Sequence, residues 1–253
     1  MNRPGITAIY TFEMARARRT LWQSLVAPVI TTSLYFLVFG TAIGSRMISM
    51  GGVGYGSFIV PGLIMLSVLT QSIMNASFGI YFPKFTGTIY ETLSAPITPL
   101  ETTLAYVGAA VTKSVVLALV TLATAAVLVE VRIDHPLLML LFLIAISTGF
   151  SLLGFVIGIW AKNFEQLQVV PMLVVTPLTF LGGVFYSVAA IGEPWRTITH
   201  LNPILYLVSG FRWTFFSYAD VPLAASLGVM AGAILLPLAA IVWIFRTGYR
   251  LKS

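Results

Sequence analysis

The chain has 253 residues, of which 58% are hydrophobic and only 9% charged, with a formal net charge of +6. Soluble domains carry about 25% charged residues, so this composition excludes a soluble enzyme or nucleic-acid-binding domain and indicates an integral membrane protein. Because the chain contains no cysteine, disulfides and thiolate metal sites are excluded as well.

The first element, residues 4–20, has apolar side chains at helical spacing and arginines crowded toward its end. The apolar positions are Ile6, Ile9, Tyr10, Met14 and Ala17. This pattern predicts an interfacial helix that lies on the membrane surface. The alternative is a solvated tail.

Six apolar stretches are long enough to cross a hydrocarbon core, which needs about 20 residues. They cover residues 21–41, 58–79, 102–127, 137–160, 167–186 and 223–245. A seventh span at 198–216 would bury His200, Asn202 and Arg212, so we expect short re-entrant helices there instead. The sequence thus predicts a single all-α membrane domain over residues 1–253.

The even number of spans places both termini on one side of the membrane, and the distribution of basic residues selects that side. The inner group is Arg3, Arg16, Arg18, Arg19, Lys84, Lys162, Arg246, Arg250 and Lys252; the outer group is Arg46, Arg132, Arg196 and Arg212. Both termini are therefore predicted to be cytoplasmic. Trp22, Trp160 and Trp243 then fall at cytoplasmic span ends, where amphipathic rings are favoured.

Two motifs resemble known binding loops but lack their context. The "GGVGYG" of residues 51–56 contains the tetrad of a potassium filter, although Gly52 stands where the filter has threonine, and a flexible turn explains it better. The "GAAVTKS" of residues 108–114 lacks the glycine that precedes the lysine of a phosphate-binding loop. No catalytic motif appears, so the chain is not predicted to be an enzyme, and it is expected to bind no cofactor or metal.

Polar side chains form stripes within three of the spans. Ser67, Gln71 and Asn75 follow at i, i+4 and i+8, while Thr31 and Tyr35 lie in the first span and Thr176 and Thr179 in the fifth. Because lipid cannot satisfy such groups, the stripes should face protein or water. They line a substrate path or make ordinary interhelical hydrogen bonds.

Two further features lie inside spans. Lys113 is a charge about 16 Å along its helix, and we favour a structural role for it over a functional one. Three glycine pairs have the spacing that permits close helix packing. These pairs are Gly40 with Gly44, Gly154 with Gly158, and Gly228 with Gly232.

The stretch "KFTGTIYETLSAPITPL", residues 84–100, interrupts the oily segments on the predicted cytoplasmic side. Phe85, Ile89 and Leu93 recur every four residues, which predicts a short amphipathic helix over 84–96 that Pro96 ends. Such a helix lies on lipid or docks into a soluble partner.

The order of these parts resembles the transmembrane subunits of type-2 ATP-binding-cassette (ABC) exporters, and particularly the small YadH-like permeases. The resemblance covers nearly the whole chain. It is carried by "SLYFLVFGTAIGSR" (33–46), "FIVPGLIMLSV" (58–68), "ETLSAPIT" (91–98), "PLTFLGGVFYS" (177–187) and "HLNPILYLVSGFR" (200–212).

The resemblance implies a permease of a bacterial inner membrane that forms a homodimer and carries two cytoplasmic ATPase subunits. ATP and magnesium would bind to those partners. The residues expected to couple to the ATPase are Gly87, Thr88, Glu91, Thr92, Leu93 and Ala95, with Asn163 and Glu165 from the "KNFEQ" loop. Outer re-entrant helices over 187–216 would close the exit through Tyr186, Trp195, His200, Asn202, Pro203 and Arg212.

Substrate would pass between the two subunits along the first, second and fifth spans. Lipids, glycans on lipid carriers and hydrophobic drugs fit the mixed side chains there equally well. An ion channel and a membrane scaffold without transport remain the alternatives. A channel predicts flux without ATP, whereas a scaffold predicts neither flux nor ATPase binding.

Overall fold

A computed structural model describes residues 2–43 and 53–249, and the elements in these ranges are helices. In chain order they are α1 (Arg3–Arg19), α2 (Leu21–Tyr35) with a π-helical continuation (Phe36–Ile43), α3 (Tyr55–Thr86), α4 (Ile89–Ser94), α5 (Pro99–Leu128), α6 (Pro136–Trp160), α7 (Phe164–Val169), a π-helical turn (Val170–Val175), α8 (Thr176–Leu181), a 3₁₀ turn (Val188–Ala190), α9 (Trp195–His200), α10 (Pro203–Phe216) and α11 (Leu223–Thr247).

Five continuous helical segments are long and apolar enough to cross a membrane. They are α3, α5, α6, the Phe164–Leu181 segment and α11. A sixth arises if α1 and the Ser24–Phe39 helix, which meet at 59°, count as one bent span. α10 has 14 residues, or about 21 Å, and is too short to cross. The predicted all-α membrane fold is thereby confirmed.

The core of the bundle is built around α3, which packs closely against α6. A Cβ on Gly154 would lie 2.4 Å from the Ile73 carbonyl oxygen, and one on Gly158 would lie 2.5 Å from that of Ser77. Among residues 2–43 and 53–249, no neighbouring atom lies within 4 Å of a Cβ position on Gly228 or Gly232. The pair of Gly40 and Gly44 reaches beyond the described residues. Of the predicted close-packing pairs, one therefore operates within the described part of the subunit.

The long helices alternate in direction, so the bundle has two ends. The α4 end contains the last turn of α3, α4, the start of α5 and the turn between α6 and α7; the α9 end contains α9, α10 and the loop before α6. At the α4 end, a reciprocal cap starts α5: Thr98 Oγ1 accepts from the Glu101 amide, and Glu101 Oε2 accepts from the Thr98 amide. The caps fix where the chain reverses.

The predicted helix over 84–96 is wrong in its extent. Residues 84–86 form the last turn of α3, and Gly87 ends it with a positive φ of 79°. A separate helix of six residues, α4, then runs to Ser94. Phe85 and Ile89 therefore belong to different helices and do not share one continuous stripe. The spacing of apolar residues predicted one continuous helix because the left-handed turn at Gly87 interrupts the helix without changing that spacing.

Candidate translocation groove and partner-docking end

Polar side chains from three helices line an open groove along one side of the bundle. The groove has a volume of about 350 Å³, and its lining includes Thr31 and Tyr35 of α2, Ser67 and Gln71 of α3, and Thr176 of α8. Five of the seven residues predicted for a substrate path thus meet at one place. The remaining lining is apolar and includes Leu63, Leu66 and Phe180. A groove of this chemistry suits an amphipathic molecule.

A second cavity, of about 500 Å³, lies beside the groove and nearer the α4 end. It is formed by α1, α2, α3 and α5, and it contains Asn75, the sixth predicted path residue. Ser24 and Gln71 line both spaces. The polar stripe of α3 therefore lines both spaces, with Ser67 in the groove, Asn75 in the second cavity and Gln71 in both.

Thr179 is the exception among the predicted path residues. Its side chain is fully buried, and its hydroxyl donates to the Val175 carbonyl oxygen one helical turn earlier at 2.6 Å. It does not line the groove, so its assignment to the path is corrected. Thr176 makes a similar bond to the Pro171 carbonyl at 2.9 Å, yet remains at the groove wall. Sequence spacing alone did not distinguish these two hydroxyls, because they lie only three residues apart on a helix that is distorted by a π-turn.

Aromatic rings gather where the groove approaches the α9 end. Phe185 stacks on Phe39 with ring centroids 4.6 Å apart and on Phe180 at 5.3 Å, and Tyr35 lies 5.8 Å from Phe185. Offset aromatic pairs of this kind add to the free energy of apolar packing, so the cluster gives this end of the groove an apolar wall.

A buried carboxylate that the sequence analysis missed joins α1 to α5. Glu13 is 1% exposed, and its Oε2 accepts hydrogen bonds from Lys113 Nζ and from Arg16 Nη2, each at 2.8 Å. Tyr10 and Thr112 bond through their hydroxyls at 3.0 Å beside this cluster. The available signal was that Glu13 falls on the apolar stripe of α1, where a carboxylate needs a buried cation. Lys113 is therefore a structural partner of α1.

The start of α1 is tied to the segment that carries α4. The Asn2 side-chain amide donates to the Pro96 carbonyl at 2.8 Å, and the Asn2 side-chain oxygen caps α1 by accepting from the Gly5 amide at 3.1 Å. The same helix therefore touches the α4–α5 connection at its start and the large cavity at its end.

α4 presents most of its predicted contact residues to the outside. Gly87, Thr88, Glu91 and Ala95 are exposed and Thr92 is half-buried, whereas Ile89 is buried against the bundle. Leu93 belongs to α4 by its backbone, and its side chain lies outside the described part. The helix is thus anchored by Ile89 and offers a polar outer face.

The turn at "KNFEQ" lies beside the end of α3. Asn163 caps α7 by accepting from the Gln166 amide at 3.0 Å, while Glu165 is exposed. Phe164 contacts Tyr81 and Phe85 edge-on, with both centroid distances at 4.9 Å, and the Tyr81 hydroxyl donates to the Lys162 carbonyl at 3.0 Å. The two predicted docking segments are therefore one connected surface.

At the α9 end, Arg212, which was predicted for the outer gate, is fully buried. Its guanidinium donates to Asp220 Oδ2 at 2.9 Å and to the Gly183 carbonyl at 2.6 Å, and it lies 4.0 Å from the centre of the Phe58 ring. Asp220, which sequence reasoning missed, also accepts from the Ser187 hydroxyl. The cluster fixes α10 against α3. The signal in the sequence was an Arg within a short helix and an Asp eight residues later, just past the end of that helix.

Asn202 is also structural. It is buried, caps α10 by accepting from the Ile204 amide at 3.0 Å, and donates to the Leu178 carbonyl. Pro203 is the first residue of α10, a position that favours proline. The Tyr186 hydroxyl donates to the Leu181 carbonyl at 2.7 Å, and the His200 carbonyl accepts from Tyr206 at 2.9 Å. Of the predicted gate residues, Trp195, which is 61% exposed, and Pro203 are accessible to another molecule.

An exposed ion pair closes the loop before α6. Arg132 Nε donates to Asp134 Oδ1 at 2.7 Å, and Ser217 donates to the other carboxylate oxygen at 3.0 Å. The hydrogen bond from Arg132, more than that from Ser217, lowers the pKa of the Asp134 carboxyl. Asp134 is therefore ionised at neutral pH.

The described residues of the two motifs that resembled binding loops lie at the start of a helix or within one. Tyr55 and Gly56 form the first turn of α3, and the Tyr55 hydroxyl donates to the Phe185 carbonyl at 3.0 Å; Gly51 and Gly52 lie outside the described residues. Residues 108–114 lie in the middle of α5. Within residues 2–43 and 53–249, no three His, Asp or Glu side chains are grouped to hold a metal ion.

Residues 5–216 match the family described as "ABC-2 type transporter". The chain belongs to the ABC-2 type transporter family. The match runs from α1 to α10 and includes the groove, α4 and Arg212, whereas Asp220 lies just beyond its end. The predicted resemblance is confirmed, and this ABC-2 chain is a membrane subunit of an ABC transporter.

Two curated proteins show how this ABC-2 chain compares with its relatives. The chain is 40% identical over 226 residues to "Inner membrane transport permease YadH" of Escherichia coli (strain K12), covering 89% of this chain and 88% of the relative. It is 22% identical over 215 residues to "Nodulation protein J" of Neorhizobium galegae, covering 85% and 82% of the two chains. Both alignments extend over most of the membrane domain.

Proposed function

We propose that this subunit forms, with a second copy of itself, the translocation path of an ATP-driven exporter powered by two cytoplasmic ABC ATPase subunits. The observation that carries the proposal is the groove, which brings Thr31, Ser67, Gln71 and Thr176 together on one open wall. One subunit supplies only one side of such a path. A second copy facing the groove would complete it and would shield the polar wall from lipid.

The α4 end is the proposed docking site for the ATPase. α4 is exposed on its polar face through Glu91 and anchored on its apolar face through Ile89. A docked helix transmits force only when it is held stiffly by the body that it moves. The contact of Phe85 with Phe164, together with the bond from Asn2 to Pro96, links α4's surroundings to α7 and α1.

The proposed cycle follows from these links. ATP binding closes the ATPase pair, and the movement passes through α4 and the turn at 162–166 to α3 and α7, which carry or adjoin the groove. The bundle then changes from an inward-open to an outward-open arrangement, with the ring cluster around Phe185 separating at the α9 end. Only an energy difference between the two states that depends on ATP can drive this change.

The orientation proposed for the chain puts the α4 end in the cytoplasm of a bacterium and the chain in its inner membrane. Trp22, Trp160 and Trp243 are exposed near the α4 ends of α2, α6 and α11. Amphipathic rings at this depth anchor helices in the headgroup layer. The relative from Escherichia coli is itself named an inner membrane permease.

The proposed cargo is an amphipathic molecule, with lipids, lipid-linked glycans and hydrophobic drugs as the three classes to be tested. The groove combines hydroxyl and amide groups with Leu63, Leu66 and Phe180. A ligand with separate polar and apolar parts satisfies both kinds of wall.

The proposal is tested by reconstituting the chain into liposomes with and without a co-expressed ABC ATPase subunit and measuring movement of labelled cargo from each class. We expect transport that requires both the ATPase and hydrolysable ATP. Ion flux from the chain alone would favour a channel, and absence of both flux and ATPase binding would favour a scaffold.

A pair of matched variants assigns the path to the groove. Gln71→Leu removes an amide that lines both cavities, so transport should fall at least about tenfold because a polar contact to the moving cargo is lost. Gln168→Leu makes the same substitution at an exposed site that lines neither cavity and should leave transport unchanged.

A further inference from the structure

The large cavity beside α1 has a two-part chemistry. One part of its wall is apolar and includes Leu21, Leu25, Met74, Phe78 and Val116. The other part is polar and contains the amides of Gln71 and Asn75 with the hydroxyls of Thr20 and Thr112. A cavity of about 500 Å³ with these two walls fits the head and the first part of the tail of an amphiphile.

The charged side chains that line this cavity are all cationic. They are Arg16, Arg18 and Lys113, contributed by α1 and α5. Three cations within one cavity repel each other unless an anion joins them. Arg18 is exposed and close to the start of α2, while Lys113 lies in the middle of α5, so the positive charge extends inward from the end of α1.

The anion that currently serves two of these cations is Glu13, which does not line the cavity. One of its oxygens accepts from both Lys113 and Arg16 at 2.8 Å. Its other oxygen, Oε1, is buried and has no hydrogen-bond partner among the described residues, and neither has Arg16 Nη1. The cluster therefore has an unused donor beside the cavity and a carboxylate that is incompletely bonded.

We propose that this cavity binds the phosphate headgroup of an anionic amphiphile, and that Glu13, from behind the cavity wall, supplies the counter-charge of Arg16 and Lys113 when the site is empty. Arg18 and Arg16 Nη1 reach the incoming phosphate first, and Lys113 exchanges its bond with Glu13 for one with the phosphate. Arg favours phosphate because its donors match two oxygens at once. The apolar wall receives the start of the acyl chain.

This inference concerns the resting chain and requires neither ATP nor an ATPase partner. The proposed transport function can therefore fail while the binding site stands, and the reverse also holds. The same phosphate chemistry is present in a membrane phospholipid and in free inorganic phosphate, which differ in whether the apolar wall contributes.

The experiment is native mass spectrometry of the detergent-purified full chain, supplied separately with phosphatidylglycerol, phosphatidylcholine and inorganic phosphate. We expect retention of phosphatidylglycerol about tenfold above that of phosphatidylcholine, because the quaternary amine of the latter is repelled by the three cations. Inorganic phosphate should be retained weakly. Equal retention of phosphatidylglycerol and inorganic phosphate would overturn the amphiphile site.

Three variants locate the binding. Arg18→Gln should lower phosphatidylglycerol retention about tenfold while leaving the Glu13 cluster intact, and Arg196→Gln, a matched change on exposed α9, should leave it unchanged. Glu13→Gln removes the competing carboxylate and should raise retention several-fold. Equal retention by the Arg18→Gln and Arg196→Gln proteins would refute the site, and that comparison decides the matter even if the Glu13→Gln protein fails to fold.

Discussion

Lys113 Nζ lies 2.8 Å from Glu13 Oε2 and so joins two residues that are 100 positions apart in the chain. The bond fixes α1, which meets the following helix at 59°, against the middle of α5. Its two partners are largely removed from solvent, with side-chain exposures of 13% and 2%. Screening by solvent is therefore weak, and the pair holds the wall between α1 and the large cavity.

The Lys113→Met variant tests this pair. Removing the ammonium leaves Glu13 buried with Arg16 as its remaining cation, so the free energy of unfolding should fall by about 2–3 kcal/mol. The measurement is denaturant-induced unfolding of the purified chain in mixed micelles. Glu13→Gln and the double variant complete a cycle, and the double variant should be more stable than the sum of the single losses predicts. Strict additivity of the two losses would show that the pair contributes no coupling energy.

Gly154→Ala tests the close packing of α6 on α3. The added Cβ would lie 2.4 Å from the Ile73 carbonyl oxygen, and backbone atoms there have no room to yield. We expect a loss of about 1–3 kcal/mol in the free energy of unfolding. Gly228→Ala is the matched control, because no neighbouring atom of the described residues lies within 4 Å of its Cβ position. If the two proteins unfold at the same denaturant concentration, the α3–α6 contact is not as close as described.

Asp220→Asn tests the buried cluster at the α9 end. It leaves the Arg212 guanidinium, which is 0% exposed, without a counter-charge, and should cost about 3 kcal/mol. The comparison protein is Asp134→Asn, which loses the ion pair with Arg132, a residue whose side chain is 77% exposed. Its midpoint of thermal unfolding should barely change, because exposed ion pairs contribute little to stability. Similar midpoints for both variants would place Asp220 in a solvated site.

The effect of Asp134→Asn on stability has a defined dependence on pH. Hydrogen bonding by Arg132 lowers the pKa of Asp134 in the folded chain. The contribution of Asp134 to stability is thus complete above the pKa of the unfolded chain and is lost as pH falls through the folded pKa. Around neutral pH, the difference in the free energy of unfolding between the Asp134→Asn and parent proteins should therefore be constant. It should change only in acid, as the Asp134 carboxyl is protonated.

Glu91→Lys tests coupling through α4. Glu91 is exposed, so charge reversal should leave the stability of the chain unchanged while disturbing its contact with an ATPase surface. In proteoliposomes containing both subunits, we expect ATP hydrolysis to continue and transport to fall about tenfold or more. Leu93→Pro, which removes a backbone donor from a six-residue helix, should uncouple more strongly. Glu130→Lys makes the same charge change on an exposed residue at the other end, and loss of transport there as well would argue against a specific role for α4.

The helices and the groove were predictable because their signals are strong and local. Long apolar runs fix the spans, and the spacing of Ser67, Gln71 and Asn75 places three polar groups on one helix face whatever the rest of the fold does. Their convergence with Thr31 and Thr176 required the helices to pack in one particular order. The packing order depends on many small contacts that position α2 and α8 beside α3, and spacing along the chain does not reveal them. This order was therefore taken from the family resemblance.

The buried ion pairs and the end of α3 were less accessible. Arg212 was grouped with the outer basic residues and the exit gate because its spacing from Asp220 does not by itself show that Asp220 and Gly183 fold over it. Thr179 was assigned to the path because helical spacing does not reveal the π-turn that precedes it, and its hydroxyl is instead buried and bonded to Val175. Helical spacing assumes a regular helix, so both the break at Gly87 and the π-turn before Thr176 shift the faces that it predicts.

Single-cysteine crosslinking tests the central claim most directly, since the chain has no cysteine of its own. Glu91→Cys in α4 and Glu130→Cys at the opposite end each carry a thiol-linked photoactivatable group in cells that also produce an ABC ATPase subunit. The account predicts that the ATPase is captured through position 91, that it is not captured through position 130, and that a membrane-impermeant maleimide reaches position 130 alone in intact cells. Capture through position 130, or labelling of position 91 from outside, would contradict it.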